Sequence, residues 1–133
     1  MKILLTGVGK GFGRSYLEHL APREGLEVMG VTRNLSDFDS VSLKSLQKKN
    51  VTLKSADLSC PNSVSLFVKE NAKFINMVDV LVNNAGQRLR APVEELEYTQ
   101  LELLFRVNVI TPMILSKSVL KGMKQRRIGR VIN

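Results

Sequence analysis

Four glycines fall within seven residues near the start of the chain, in Thr6-Gly7-Val8-Gly9-Lys10-Gly11-Phe12-Gly13, directly behind the apolar run Ile3 to Thr6. Glycine tolerates positive φ and lets backbone approach a ligand or another segment closely. Behind the turn, Phe12, Tyr16, Leu17 and Leu20 repeat at helical spacing, a stripe read as core packing that ends near Pro22 and Gly25. The turn therefore joins a buried strand to a helix whose free N–H groups and positive dipole end suit an anion such as a pyrophosphate. The glycines do not fit the common G-x-G-x-x-G fingerprint in any register. Taken alone, the junction leaves a plain tight turn open.

The rest of the chain repeats the opening pattern. Apolar runs rich in Val, Ile and Leu lie at Ile3 to Thr6, Glu27 to Thr32, Val51 to Lys54, Val78 to Asn83 and Arg130 to Asn133, with helical periodicity between them. Runs without clean alternation belong to strands buried on both faces, as in a parallel sheet. Strands alternating with helices through right-handed crossovers predict a five-stranded, doubly wound α/β sheet. Pro61-Asn62-Ser63 offers capping chemistry to a helix carrying Val64, Phe67, Val68 and Phe74 inward. The longest periodic segment, about 99–125, spaces Leu101, Leu104, Phe105, Asn108, Leu115 and Val119 toward a sheet or a neighbouring helix, and Pro112 inside it predicts a bend or break.

At 133 residues the chain is sized for one domain with a single core. No apolar run approaches the roughly 18 residues that span a bilayer, and no signal peptide is recognised, so a cytoplasmic location without a membrane partner is expected. Cys60 and His19 stand alone and define no metal site. The net charge of +8 fits either a polyanionic partner or a phosphorylated cofactor. The densest basic stretch, Lys117, Lys121, Lys124, Arg126, Arg127 and Arg130, lies at a helix end, where cations offset the dipole. No aromatic residue interleaves with these charges, so no nucleic-acid partner is expected.

The glycine turn, read as Thr6-Gly7-x-x-x-Gly11-x-Gly13, resembles the T-G-x-x-x-G-x-G motif of the short-chain dehydrogenase/reductase family. Further landmarks come in the family's order: Asp57-Leu58 after the third run, Asn83-Asn84-Ala85-Gly86 after the fourth, and Asn108 in the long helix. The resemblance spans the chain. It implies a Rossmann-like doubly wound parallel sheet, truncated after the fifth strand, with residues 1–133 as its NAD(P)-binding domain and the C-terminal catalytic portion absent. It also implies cofactor contacts at Thr6, Gly7, Gly9, Lys10, Gly11, Phe12, Gly13, Arg33, Asp57, Leu58, Asn83, Ala85 and Gly86, with Asp57 toward the adenine. Asn108 matches the catalytic-site Asn that positions the active lysine through water. Gln87 to Arg90 are placed at the pocket entrance.

Cofactor choice is argued from charge. A ribose 2′-hydroxyl is usually held by an acid at the end of the second strand, and a 2′-phosphate by an arginine there. The second run ends Val31-Thr32-Arg33-Asn34, with no acid at that point, and Lys10 matches a basic position in NADP-preferring members of the family. NADP(H) is the expected cofactor.

The family's Ser and its Tyr-x-x-x-Lys pair have no counterpart in these residues, since neither Tyr16 nor Tyr98 has a lysine four positions later. Three readings stay open. The first is an NADP(H)-dependent oxidoreductase of carbonyls and alcohols, represented by its cofactor-binding half, inactive alone and homo-oligomeric through the helix around 99–125. The second is a non-catalytic NADP-binding module that regulates or binds a partner, and the third, nucleic-acid binding through the basic C-terminal segment, has the lack of interleaved aromatics against it.

Overall fold

The computed structural model describes residues 1–47 and 50–133. The chain begins with β1 (Lys2–Thr6), α1 (Gly11–Leu20), β2 (Glu27–Thr32), a 3-10 turn at Leu35–Asp37, α2 (Ser40–Gln47) and β3 (Val51–Ser55). It continues with α3 (Pro61–Glu70), α4 (Ala72–Ile75) and β4 (Val80–Val82). After a 3-10 turn at Val93–Glu95 come α5 (Tyr98–Phe105), a π turn at Arg106–Ile110, α6 (Thr111–Arg126) and β5 (Arg130–Ile132). The strands form one sheet in the order β3-β2-β1-β4-β5. Every pairing is parallel, with Lys2 opposite Glu27, Ile3 opposite Val80, Val28 opposite Val51 and Val80 opposite Arg130.

Alternation along each strand divides the apolar side chains between two cores. Ile3 and Leu5 of β1, Val28 of β2 and Val82 of β4 point to one face, where Leu17 and Leu20 of α1, Phe38 and Leu46 cover them. Leu4, Met29, Val31 and Leu81 point to the other, beneath Phe67, Ile75, Leu115, Val119 and Met123. Two cores replace the single core expected from length, because a doubly wound sheet must be covered on both sides.

The helices depart from expectation in several places. Phe12 is 74% exposed and stacks on Tyr16 in the first turn of α1, so the buried stripe is Leu17 and Leu20. Helix α3 has no side-chain cap: the Ser63 hydroxyl instead accepts the Asp57 N–H at 2.9 Å. The helix expected to run on through Phe74 breaks at Asn71, whose φ of −107° and ψ of 18° separate α3 from α4. Pro112 does not break the long helix. The five-residue π turn just before it absorbs the missing N–H and the ring's bulk, and α6 continues.

This 29-residue helix, Tyr98–Arg126, is long and apolar enough to cross a membrane by length and composition. Scattered charges keep it from reading as one apolar run. In the fold it is a layer of the domain, with Leu115 and Val119 almost fully buried against the sheet. Phe105, Val109, Ile110, Met113 and Ile114 face outward, so the inward orientation expected for Phe105 does not hold.

Arg126 is a clamp rather than part of a solvated basic face. Its guanidinium donates to the Asn76 carbonyl, to the Val78 carbonyl at 2.7 Å and to Asp79 Oδ1 at 3.4 Å, fixing the turn into β4. Gly122 makes room for that turn, because a Cβ there would lie 1.8 Å from the Asn76 carbonyl oxygen. Arg126→Ala is expected to cost about 1–3 kcal/mol, chiefly by leaving the part-buried Val78 carbonyl without this donor. Lys124→Ala should stay within about 0.5 kcal/mol. Equal urea midpoints for the two variants would contradict the clamp.

Candidate functional site

The chain winds outward from β1 to β2 and β3, then returns to place β4 and β5 on the other side. The crevice beyond the carboxyl ends of β1 and β4 is thus the topological switch point, where ligands bind in open α/β sheets. Two turns leave the sheet there: Gly7–Lys10 after β1 and Asn83–Gly86 after β4.

Side chains tie these turns together. Thr6 Oγ1 donates to the Val82 carbonyl at 3.4 Å and accepts the Ala85 N–H at 3.0 Å. Asn84 Nδ2 donates to the Thr6 carbonyl at 3.0 Å and the Gly7 carbonyl at 3.2 Å. Gly7, at φ +75°, turns the chain so that its N–H and that of Val8 both reach the Val31 carbonyl. Gly13 lets α1 sit against this knot, since a Cβ there would lie 2.2 Å from the Gly7 carbonyl oxygen and 2.3 Å from Asn84 Nδ2.

Helix α1 begins without a side-chain cap and without an acid in its first turn. Its first backbone bond is from the Arg14 N–H to the Lys10 carbonyl at 3.5 Å, so the N–H groups of Gly11, Phe12 and Gly13 lie outside the helical ladder. Gly11 has φ +59° and open space where a Cβ would project. Free donors, a positive dipole end and room above them fit a dinucleotide's pyrophosphate. Lys10 and Phe12 flank the opening and are exposed.

The other expected residues spread around this centre. Arg33 is exposed just past β2, and its carbonyl accepts the Ser55 hydroxyl at 2.8 Å. The Asp57 carboxylate takes the Ser59 hydroxyl at 2.6 Å and the Ser59 N–H at 2.9 Å. Those two bonds, helped by the charge of Arg33, hold its pKa below the ordinary aspartate value. Leu58 packs against the second core, and its carbonyl accepts the Thr111 hydroxyl at 2.8 Å. Asn83 Nδ2 donates to Asn133 Oδ1 at 2.8 Å, while its own buried Oδ1 has no hydrogen-bond partner among the described residues.

Asn108 lies in the π turn, and its amide pairs reciprocally with one backbone unit. Its Nδ2 donates to the Gln87 carbonyl and its Oδ1 accepts the Gln87 N–H, both at 2.8 Å. The extra residue of a π turn redirects a side chain, and such turns recur at functional sites. Gly86, Gln87, Arg88, Asn108, Met113 and Lys117 contribute to an open cleft of about 860 Å³ beside the second turn.

Sequence reasoning misses two participants. Asn84 is visible in its motif, but its role as the knot between the turns needs the fold. Asp37 lies five residues beyond β2, past the point where an acid is sought. The short 3-10 turn folds it back so that its carboxylate accepts the Thr32 hydroxyl at 3.0 Å, and a Cβ on Gly9 would lie 2.3 Å from its Oδ2. Residues 31–34 themselves hold no acid, as read from the sequence, and the fold brings Asp37 to them from further along the chain.

A doubly wound parallel sheet with a glycine turn and an open helix terminus at its switch point defines a dinucleotide-binding domain. Comparison with known proteins narrows the class. The model of the short chain dehydrogenase family matches residues 1–133, and the chain belongs to that family. It is 32% identical over 133 residues to Retinol dehydrogenase 8 of Homo sapiens, covering 98% of this chain and 42% of that protein. It is 33% identical over 133 residues to the vibriobactin-specific 2,3-dihydro-2,3-dihydroxybenzoate dehydrogenase of Vibrio cholerae, covering 98% of this chain and 50% of that protein. A solved structure from Beutenbergia cavernae, assigned as an NAD(P)-dependent gluconate 5-dehydrogenase with NADP at low occupancy, superposes with a TM-score of 0.82 at 30% identity. That superposition covers 98% of this chain and 51% of the other. The chain spans about half the length of the curated relatives it matches.

The lowered pKa of Asp57 has a definite sign. Its contacts stabilise the folded chain above the ordinary aspartate pKa of 3.8, and that contribution is lost as pH falls through the lowered folded value. Ser59→Ala is expected to raise the Asp57 midpoint toward its ordinary value in a carboxyl-carbon NMR titration. An unmoved midpoint would assign the shift to another cause.

Proposed function

We propose that the chain is the cofactor-binding part of an NADP(H)-dependent oxidoreductase that interconverts carbonyls and alcohols by hydride transfer. The observation that carries this reading is the capless N-terminus of α1, open over Gly11 beside the exposed Lys10. A bound nicotinamide dinucleotide would supply the hydride acceptor or donor. The protein's part is to bind and orient it. The N–H groups of Gly11, Phe12 and Gly13 take the pyrophosphate, and Thr6, Gly7 and Gly9 keep the turn open beneath it. Lys10 and Arg33 pair with the 2′-phosphate, Arg33 with the bidentate geometry that suits phosphate. Asp57 and Leu58 border the adenine. Asn83, Ala85 and Gly86 lie on the nicotinamide side, and Asn108 pins the Gln87 backbone at the cleft.

The Beutenbergia neighbour's bound NADP supports the choice of cofactor. Retinol, gluconate and a dihydroxybenzoate precursor, named for the relatives, are small carbonyl or alcohol substrates in keeping with the same chemistry. The outward apolar strip of α5 and α6, with Met113 67% exposed, supports contact with a second copy through this helix. A cytoplasmic location belongs to this proposal. Since these residues hold no Tyr-x-x-x-Lys pair, binding rather than turnover is this chain's share of the reaction. A regulatory NADP-binding module would share the cofactor site and differ in having no catalytic half to complete.

In a fluorescence titration, Lys10→Ala and Arg33→Ala are each expected to weaken NADPH binding about tenfold. NADH binding should change by no more than about twofold, since it lacks the phosphate those cations meet. Equal losses for both dinucleotides would remove the basis for NADP(H).

A further inference from the structure

Asp37 is built into the gap between the glycine turn and the end of β2. On one side its Oδ2 would sit 2.3 Å from a Cβ on Gly9, and on the other it accepts the Thr32 hydroxyl at 3.0 Å. Its backbone is pinned as firmly as its side chain. Phe38, next in sequence, is 3% exposed in the first core. The Arg14 guanidinium lies 3.8 Å over the Phe38 ring and donates to the Asp37 carbonyl at 3.3 Å. Arg14 in turn is held by Glu18 at 2.6 Å. The turn that carries Asp37 is thus stapled to the first two turns of α1, and its carboxylate is aimed along the backbone of Gly9.

That gap is where the adenosine ribose must pass, if the pyrophosphate rests on the N–H groups of α1 and the base lies toward Asp57 at the end of β3. Lys10 and Arg33 supply positive charge to either side, yet among the described residues Asp37 forms no ion pair. Its carboxylate accepts the neutral Thr32 hydroxyl, and one such bond leaves most of its lone pairs available to a ligand beside Gly9. A carboxylate so placed accepts a hydrogen bond from a ribose 2′-hydroxyl and repels a 2′-phosphate.

We propose that Asp37 is a specificity-determining residue that opposes Lys10 and Arg33, so that the site holds NAD(H) as well as NADP(H) and discriminates between them less than its two cations alone would dictate. This rests on the cofactor reading above. A 2′-phosphate has to share the gap with Asp37 or turn its side chain off Thr32, whereas a 2′-hydroxyl meets the carboxylate where it stands.

The test is a pair of titrations, NADPH and NADH, on the 133-residue chain and on Asp37→Asn. Removing the charge is expected to tighten NADPH and weaken NADH, moving the affinity ratio about tenfold toward NADPH. Asp37→Ser, which removes the charge with a smaller side chain, should move the ratio the same way and serves if the asparagine variant folds poorly. A merely structural role would shift both dinucleotides together and leave the ratio unchanged, which overturns the proposal. Wild-type chain that binds NADPH while both variants keep its ratio refutes only the role of Asp37. Wild-type chain that binds neither dinucleotide refutes the cofactor reading together with it.

Discussion

At the carboxyl ends of β1 and β4 the backbone has to leave N–H groups free for an anion while keeping the carbonyls beside them satisfied. Thr6 and Asn84 meet both demands. The threonine hydroxyl bridges the two strand ends, and the asparagine amide takes the carbonyls of Thr6 and Gly7, which have no helical partner. The position of α1 is set by the same knot, because Gly13 can press against the Gly7 carbonyl only while neither carries added bulk. An unsatisfied buried carbonyl here would cost about 1–3 kcal/mol, a large share of a small domain's stability. Without the knot the open terminus of α1 would have no fixed place above the sheet.

Much of this architecture was legible in the residues because a parallel sheet demands continuous apolar runs. β2 was placed at both ends, and β1 and β3 each lengthen by one residue. β4 is shorter than its run, since Val78 closes the turn behind α4 with its N–H on the Ile75 carbonyl. Asn71 illustrates what periodicity cannot carry: the apolar spacing continues through Phe74, yet the backbone breaks. Phe12 is the opposite case. Its spacing matches the buried stripe, but it sits in the first turn of α1, past the carboxyl end of β1, where it is left exposed.

The site was legible where its chemistry is local and hidden where it depends on the return of a loop. Gly7, Gly11 and Gly13 announce a turn because positive φ and close approach exclude a side chain there. Asn108 is singled out by resemblance, but its pairing with Gln87 depends on the π turn, which Pro112 marks only as a disturbance. Asp37 was invisible because its position is set by Phe38 entering the core and by Arg14 closing over that ring. Arg126, one of the cations in the basic stretch, is drawn out of it by carbonyls some fifty residues earlier. Net charge alone therefore overstates the positive surface open to a polyanion.

The N-terminus of α1 as the seat of a dinucleotide's pyrophosphate is tested most directly by an amide chemical-shift titration of the isotope-labelled chain with NADPH. The largest shifts are expected on the N–H groups of Gly11, Phe12 and Gly13, with smaller ones at Arg33 and Ala85. Shifts confined to Lys121 through Arg130 would contradict this assignment, because they would show the ligand to be held by the basic end of α6 as a mere polyanion.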